Sequence, residues 1–316
     1  MSHPLQTDAR APAAAPALPK PAAILELFKP ITWFAPMWAY ACGVISSGVD
    51  VSGRLLFIAL GIVLAGPMVC ATSQAVNDWF DRHVDAINEP NRPIPSGRIP
   101  GHWGLIIAVV WTGASLALGG WLGPTVLGAT VVGLALAWAY SAPPLRLKQN
   151  GWYGNAAVAV SYEGLAWFTG AAVMLASWPD WRIVTLAALY SIGAHGIMTL
   201  NDFKSVGGDR QMGVRSLPAM LGTDRAARVA CWVMALPQVA VIALLIAWGR
   251  PFHALVIGLL LAVQFVLMRR LLGAPEAEAP RYNATGTTLY VLGMMVAAFA
   301  VRPLVQSNLI GGSGLW

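Results

Sequence analysis

Long apolar runs, broken by short polar segments, dominate this chain. Nine of them reach about 17–25 residues, the length a helix needs to cross a bilayer. They lie near 31–48, 55–76, 104–121, 123–140, 155–176, 182–201, 227–248, 252–272 and 284–304. The pattern predicts an all-α polytopic membrane protein with about nine transmembrane helices. Two polar segments interrupt it in matching ways. Asn77-Asp78 closes the second run and Asn201-Asp202 closes the sixth, and each opens a long loop rich in charged residues. Four helices separate these points, an even number, so the expected architecture is two similar four-helix halves of the same orientation plus a last helix. Repeat-built membrane proteins place their sites between the repeats, which predicts that the two polar loops face a shared cavity.

Composition sharpens this. A soluble chain of 316 residues would suggest two domains, but 57% hydrophobic residues, 11% charged residues and a mean hydropathy of +0.62 put the core in lipid. Residues 1–23, Ala- and Pro-rich, read as a disordered tail ahead of a membrane domain over 24–316. No charged stretch leads into an apolar one there as in a signal peptide, so the first span is expected to be its own insertion signal. Cys42, Cys70 and Cys231 stand singly in apolar runs and read as small buried hydrophobes, not as a disulfide or zinc set. The net charge of +6 does not indicate a nucleic-acid partner, because sixteen of the twenty Lys and Arg fall on one side of the nine-span arrangement. By the positive-inside rule that side, which holds the N-terminus and both long loops, is cytoplasmic.

The first polar segment reads Asn77-Asp78-Trp79-Phe80-Asp81-Arg82-His83-Val84-Asp85. If the second helix continues through it, Asn77, Asp81 and Asp85 follow at i, i+4 and i+8 and share a face, with Asp78 beside them. Three carboxylates and an amide then crowd a helix C-terminus, where the macrodipole already disfavours negative charge. Mg²⁺ takes oxygen ligands and is commonly held by one or two carboxylates together with a substrate's phosphates. A site for Mg²⁺ and a diphosphate is therefore expected, against the bland alternative of a solvated acidic loop. Asn201, Ser205 and Asp209 repeat the spacing, with Asp202 inside the segment. Duplication at matching helix ends favours the metal reading, in which the two segments clamp one diphosphate in the manner of two-metal sites.

A diphosphate also calls for permanent cations, the Arg fork or the Lys point charge. Arg92, between Asn91 and Pro93, and Arg146 and Lys148, after Pro143-Pro144, are the candidates, with prolines stiffening the loops that aim them. The competing reading of each is a topology residue. Lys204 and Arg210, interleaved with the second acidic segment, either pair with it or reach phosphate. Within the spans, Glu163 and His195 are functional candidates by default. Glu163 reads as a proton carrier, a substrate contact or a buried interhelical hydrogen bond. His195 reads as a satisfied core histidine ahead of a metal or macrocycle ligand.

Together the motifs resemble the intramembrane aromatic prenyltransferase superfamily, the UbiA type, and within it the chlorophyll and bacteriochlorophyll synthases. The resemblance is carried by Lys29-Pro30-Ile31-Thr32-Trp33, by Asp85 to Pro90 with Arg92 to Gly97, by Tyr140 to Leu145 with Lys148 to Trp152, and by Asn201 to Lys204 with Gly208 to Arg210. Ser161-Tyr162-Glu163-Gly164 and Gln211 to Pro218 are closer to the bacteriochlorophyll branch. The resemblance covers about residues 25–305.

It implies Mg²⁺-dependent esterification of the 17-propionate of bacteriochlorophyllide a with geranylgeranyl or phytyl diphosphate, releasing pyrophosphate. It also implies a place in the inner, intracytoplasmic membrane of a photosynthetic bacterium, the active site facing the cytoplasm, with pigment-assembly proteins as candidate partners. On this reading Asn77, Asp78, Asp81, Asp85, Asp202 and Asp209 hold metal. Asp81, Asp85, Arg92, Arg146, Lys148 and Lys204 carry the catalytic load on the leaving diphosphate, and Asn77, Arg92, Tyr140, Arg146, Lys148, Glu163, Lys204 and Arg210 bind substrate. A propionate is already ionised at neutral pH, so no catalytic base is expected, although His83 lies in the motif. Ser205 departs from an Asp usual in the superfamily, a change the chlorophyll branch shares. Gly207 stands where that branch commonly has Glu, which predicts a weaker second metal site. The alternatives are a related prenyltransferase acting on chlorophyllide, a quinone precursor or haem, or a non-catalytic pigment-handling or transport protein.

Overall fold

The structure is a computed structural model that describes residues 18–312; residues 1–17 of the tail expected over 1–23 lie outside the described residues. The chain is a bundle of helices in the order α1 (Pro21–Leu27), α2 (Phe34–Ser46), α3 (Ser52–Asn88), α4 (Trp103–Leu122), α5 (Pro124–Ser141), α6 (Gly151–Leu175), α7 (Trp181–Asn201), α8 (Val206–Met212), α9 (Leu217–Leu221), α10 (Thr223–Ala247), α11 (Pro251–Gly273) and α12 (Pro275–Gly312). Among the described residues the one β-type pairing is an isolated bridge between Asn150 and Arg215.

Eight helices, α3 to α7 and α10 to α12, are long and apolar enough to cross a membrane. The first apolar run, near 31–48, forms the shorter α2 of 13 residues behind a 3-10 turn, Pro30–Trp33. At 1.5 Å per residue α2 is about 20 Å long, so on its own it falls short of the ~30 Å hydrocarbon core. The disordered tail expected to residue 23 is overrun by α1, which starts at Pro21. Pro suits a first helical turn, and Ala23 and Leu27, one turn apart, are buried against the end of α3.

Small residues set the helix spacing. A β-carbon at Gly43 of α2 would collide with the Trp167 carbonyl oxygen of α6, and one at Gly170 with the Tyr40 carbonyl oxygen. Glycine at both positions lets the two backbones touch, the usual device where lipid supplies no hydrophobic drive between helices. Polar side chains add specific links. Trp167 donates to Ser46 Oγ at 3.0 Å, Tyr290 donates to the Tyr190 carbonyl at 2.6 Å, and the buried amides of Gln238 and Gln264 exchange hydrogen bonds of 3.1 and 3.0 Å between α10 and α11.

Two helices carry a π-helical stretch, Leu64–Cys70 in α3 and Val160–Leu165 in α6. Pro67 inside the first has no N–H to give the ladder, and its carbonyl accepts instead from Trp111 Nε1 at 3.0 Å. Such bulges re-aim the side chains around them and recur at functional sites.

Candidate active site

The first acidic segment is helical throughout, since Ala71–Asn88 is unbroken. It does not place Asn77, Asp81 and Asp85 together with Asp78 aside. Seven residues return a helix almost to register, whereas eight overshoot by about 80°, so Asp85 aligns with Asp78. Arg92 bridges that pair, 2.8 Å from Asp85 Oδ2 and 3.6 Å from Asp78 Oδ1. Backbone hydrogen bonds from Ser96 N to the Arg92 carbonyl and from Ile99 N to the Pro93 carbonyl, with Ile99 buried, fold the loop so that Arg92 returns to α3.

Asp81 stands on the other side with its own cations. Lys148 Nζ lies 2.5 Å from both its oxygens and Arg146 3.7 Å away. Burial holds the Lys148 ammonium below the ordinary lysine range, with Asp81 pulling it back up. A further cation went unrecognised in the sequence: Lys29 Nζ is 2.7 Å from Asp78 Oδ1. Its backbone is left-handed, φ 46°, as is that of Arg146, φ 37°. A non-glycine residue there costs of the order of 1–3 kcal/mol and tends to occur at functional sites. The signal available was a lysine placed against a proline at the mouth of the first apolar run.

The second segment departs from the expected continuous helix. α7 ends at Asn201, a 3-10 turn covers Asp202–Ser205, and α8 follows. Asn201 Oδ1 accepts from Asn283 at 2.9 Å, and Asp202 accepts from Asn155 Nδ2 at 3.3 Å. Asp209 is buried, and its Oδ2 accepts from Ser205 and Ser216 at 3.1 and 2.6 Å. Ser205 thus serves Asp209, one helical turn away. The strap formed by Arg215 N donating to the Gln149 carbonyl and Gly151 N to the Arg215 carbonyl, at 2.9 and 2.8 Å, ties this loop to the one carrying Lys148.

Asn77, Tyr140, Asp202 and Lys204 line one cavity of about 560 Å³. Asn77 and Asp202, one from each acidic segment, therefore open onto the same space, whereas Asp78, Asp81, Asp85, Arg92, Arg146, Lys148 and Asp209 are not among its lining residues; Tyr140 stands within electrostatic reach of Asp202, Asp81 and Asp209. Arg210 is exposed on α8 and is not among the lining residues. Neither is Glu163, which is buried with its Oε2 unpartnered, although its neighbours Ser161 and Tyr162 are. His195 borders a separate apolar cavity of about 680 Å³ between α6 and α7, with Nε2 3.2 Å from the Trp152 carbonyl and Nδ1 buried without a partner.

Among the described residues, no three His, Cys, Asp or Glu side chains converge as a ready metal cluster. The donor chemistry nevertheless fits a hard cation whose coordination a diphosphate completes. Asn77 commits its amide nitrogen to Ser141 Oγ at 3.1 Å, leaving its carbonyl oxygen for the cavity. Asp78 Oδ2 is buried without a partner.

An oxygen-rich mouth flanked by lysine and arginine, over a cavity inside an apolar bundle, is built to take a ligand with a highly charged head and an apolar body. The chain belongs to the UbiA prenyltransferase family, whose model matches residues 30–292. It is 61% identical to the bacteriochlorophyll synthase 33 kDa chain of Cereibacter sphaeroides, across 91% of this chain and 95% of that one. It is 55% identical to the protein of the same name from Rhodobacter capsulatus, across 90% and 95%. In fold it resembles a UbiA homologue from Archaeoglobus fulgidus bound to DMAPP and Mg²⁺, with a TM-score of 0.71 at 18% identity over 89% of this chain and 99% of that one.

Proposed function

We propose that this chain esterifies the 17-propionate of bacteriochlorophyllide a with a geranylgeranyl or phytyl group taken from its diphosphate, releasing pyrophosphate. The observation that carries the reading is the single cavity onto which Asn77 and Asp202 both open, polar at that end and walled elsewhere largely by apolar residues. A prenyl diphosphate has the same division. The names of the two bacterial relatives supply the acceptor.

Asn77, Asp81 and Asp202 would hold Mg²⁺ around the diphosphate, with Asp78, Asp85 and Asp209 close behind. The metal, when bound, supplies charge neutralisation for the leaving pyrophosphate. The chain's own cations share that load. Lys148 and Arg146 are already drawn to the mouth by Asp81, and Lys204 lines the cavity. Charge that builds on the departing oxygen meets donors already in place, which costs no reorganisation at the moment of bond breaking. As the allylic C–O bond breaks, one propionate oxygen attacks the carbon. The carboxylate arrives ionised, so no side chain has to remove a proton. Apolar helices keep water from the cation-like carbon. The Lys and Arg distribution along the sequence supports a cytoplasmic side for this mouth, and the names of the bacterial relatives support the inner membrane of a photosynthetic cell.

Pyrophosphate release is the test. The purified protein, given bacteriochlorophyllide a and either prenyl diphosphate, is expected to release pyrophosphate with Mg²⁺ and to stop with a chelator. Release that continues in the chelator, or that does not require the tetrapyrrole, contradicts the proposal.

A further inference from the structure

The second acidic segment presents one carboxylate to the cavity, that of Asp202. Asp209 is buried with Oδ2 spent on Ser205 and Ser216, and it does not line that space. Asp202 also differs from the carboxylates of the first segment. Asp78, Asp81 and Asp85 are each ion-paired with a lysine or arginine, whereas among the described residues Asp202 has no such pair and its one side-chain partner is Asn155.

Asn155 comes from outside both segments. It sits in the second turn of α6, is 7% exposed and lines the cavity. Its Nδ2 donates to Asp202 Oδ2 and to Thr199 Oγ1, each at 3.3 Å. The neighbours fix that orientation. Thr199 spends its hydroxyl proton on the His195 carbonyl at 3.0 Å, and the Asp202 carboxylate has only lone pairs to offer, so a turned amide would set its oxygen against two acceptors. Asn155 Oδ1 is left without a donor and is not sealed in the protein. The same holds for Asp202 Oδ1. Asn77 is arranged alike, its nitrogen given to Ser141 and its oxygen left to the cavity.

Two bare oxygens, one neutral and one anionic, thus stand on adjacent groups at the polar end of an apolar cavity. Leaving them so is costly unless a ligand completes them. A diphosphate oxygen cannot, because it too brings only lone pairs. A hard cation between the three satisfies them all.

We propose that Asp202 and Asn155 together hold the second of two Mg²⁺ ions, Asn155 supplying the oxygen that the second segment lacks. The inference rests on the function proposed above and names the ligands of its second cation. The bond from Nδ2 keeps Asp202 Oδ1 turned to the cavity, so Asn155 positions one ligand while being another. Ser205 and Gly207 then need no carboxylate, since a side chain of α6 stands in for it.

The test counts metal and needs no turnover. The full chain in nanodiscs is titrated with Mn²⁺, which takes the same oxygen ligands, in the presence of geranylgeranyl thiodiphosphate, whose C–S bond resists cleavage. Free Mn²⁺ is read from its electron paramagnetic resonance signal. The native chain is expected to bind two Mn²⁺. Asn155→Ala is expected to weaken one of them about 10- to 100-fold, the loss seen when even an outer partner of a metal ligand is removed, and to spare the other. Asn155→Asp separates ligation from packing: it keeps an oxygen and adds charge, but its carboxylate cannot donate to Asp202. It is expected to hold the second Mn²⁺ at least as tightly as the native chain, whereas a purely structural amide requires the aspartate to be as damaging as the alanine. Should Asn155→Ala fail to fold, the comparison of Asn155→Asp with the native chain decides. A single Mn²⁺ on the native chain overturns the proposal and leaves Lys204 to meet the diphosphate on this side. So does a second Mn²⁺ that Asn155→Ala leaves untouched or that Asn155→Asp loses. A native chain that binds two Mn²⁺ in this way yet does not turn over bacteriochlorophyllide contradicts the proposed function and not the metal assignment.

Discussion

Lys148 and Asp81 form a symmetric ion pair, the ammonium lying 2.5 Å from each carboxylate oxygen. They come from different elements: Asp81 from the last turns of α3 and Lys148 from the turn between α5 and α6. Arg146 reaches the same carboxylate at 3.7 Å. Asp81 thus gathers two cations one helical turn beyond Asn77, which lines the cavity. The same pairing pulls the Lys148 ammonium back up against the burial that lowers it.

Asp81→Asn is predicted to lower turnover by at least ~100-fold, the scale seen when one element of electrostatic stabilisation is removed. The folded state should lose little. Asn keeps the shape of the side chain and an oxygen that still accepts from Lys148, so the loss stays below the ~3–5 kcal/mol of a broken buried pair. Pyrophosphate release and a thermal melt, measured on one preparation, separate the two effects. Full turnover by Asp81→Asn would remove Asp81 from the diphosphate site.

Asp78 and Asp85 should part company on mutation. Asp78 is 1% exposed and takes both Lys29 and Arg92. Asp78→Ala therefore leaves Lys29 without its partner while Arg92 keeps Asp85 at 2.8 Å, at a cost approaching the ~3–5 kcal/mol of a broken buried pair. Asp85→Ala leaves Arg92 with Asp78 and, at 4.0 Å, Glu89. It should stay folded while activity falls, because Arg92 is no longer held in one orientation. Indistinguishable melting temperatures for the two variants would contradict this division.

Lys29 separates backbone strain from charge. It is left-handed at φ 46° and ψ 68° and ion-paired with Asp78. Lys29→Ala loses the ion pair and keeps the strain. Lys29→Gly loses the ion pair and relieves the strain, so it should be the more stable variant by about 1 kcal/mol. Activity should fall alike in both if the charge is what the site uses. The two melts and rates, set side by side, decide it.

Periodicity made the spans and the two acidic ends legible, because both follow from run length and polar punctuation. What it missed has physical causes. The pairing of Asp78 with Asp85 depends on the drift of eight residues against seven, which a same-face argument ignores. The break at Asp202 shows in no spacing rule, since Asn201 to Asp209 contains no proline. The π stretches insert their offset without a composition signal, Pro67 apart, so the meeting of Cys70 with Tyr162 was out of reach. The ion pair of Lys29 shows in no local pattern, because its partner Asp78 lies 49 positions away.

Gly207 tests whether the second segment is weakened by what it lacks. A β-carbon there meets no atom within 4 Å, and the position is exposed near the start of α8. Gly207→Glu should therefore enter without steric cost. It should even favour the helix, since glycine is worse than other residues in a helix by up to ~1 kcal/mol and an acid near the N-terminus suits the dipole. The new carboxylate would add an oxygen donor to the segment that already carries Asp202 and Asp209, from an exposed position. The expected outcome is an unchanged or slightly raised melting temperature and a half-saturating Mg²⁺ concentration lowered severalfold, with the prenyl diphosphate's KM following it down. A Mg²⁺ titration of pyrophosphate release measures both. If rate and Mg²⁺ dependence match the native chain, the glycine is silent, and the second segment acts through Asp202 and Lys204 without a further carboxylate.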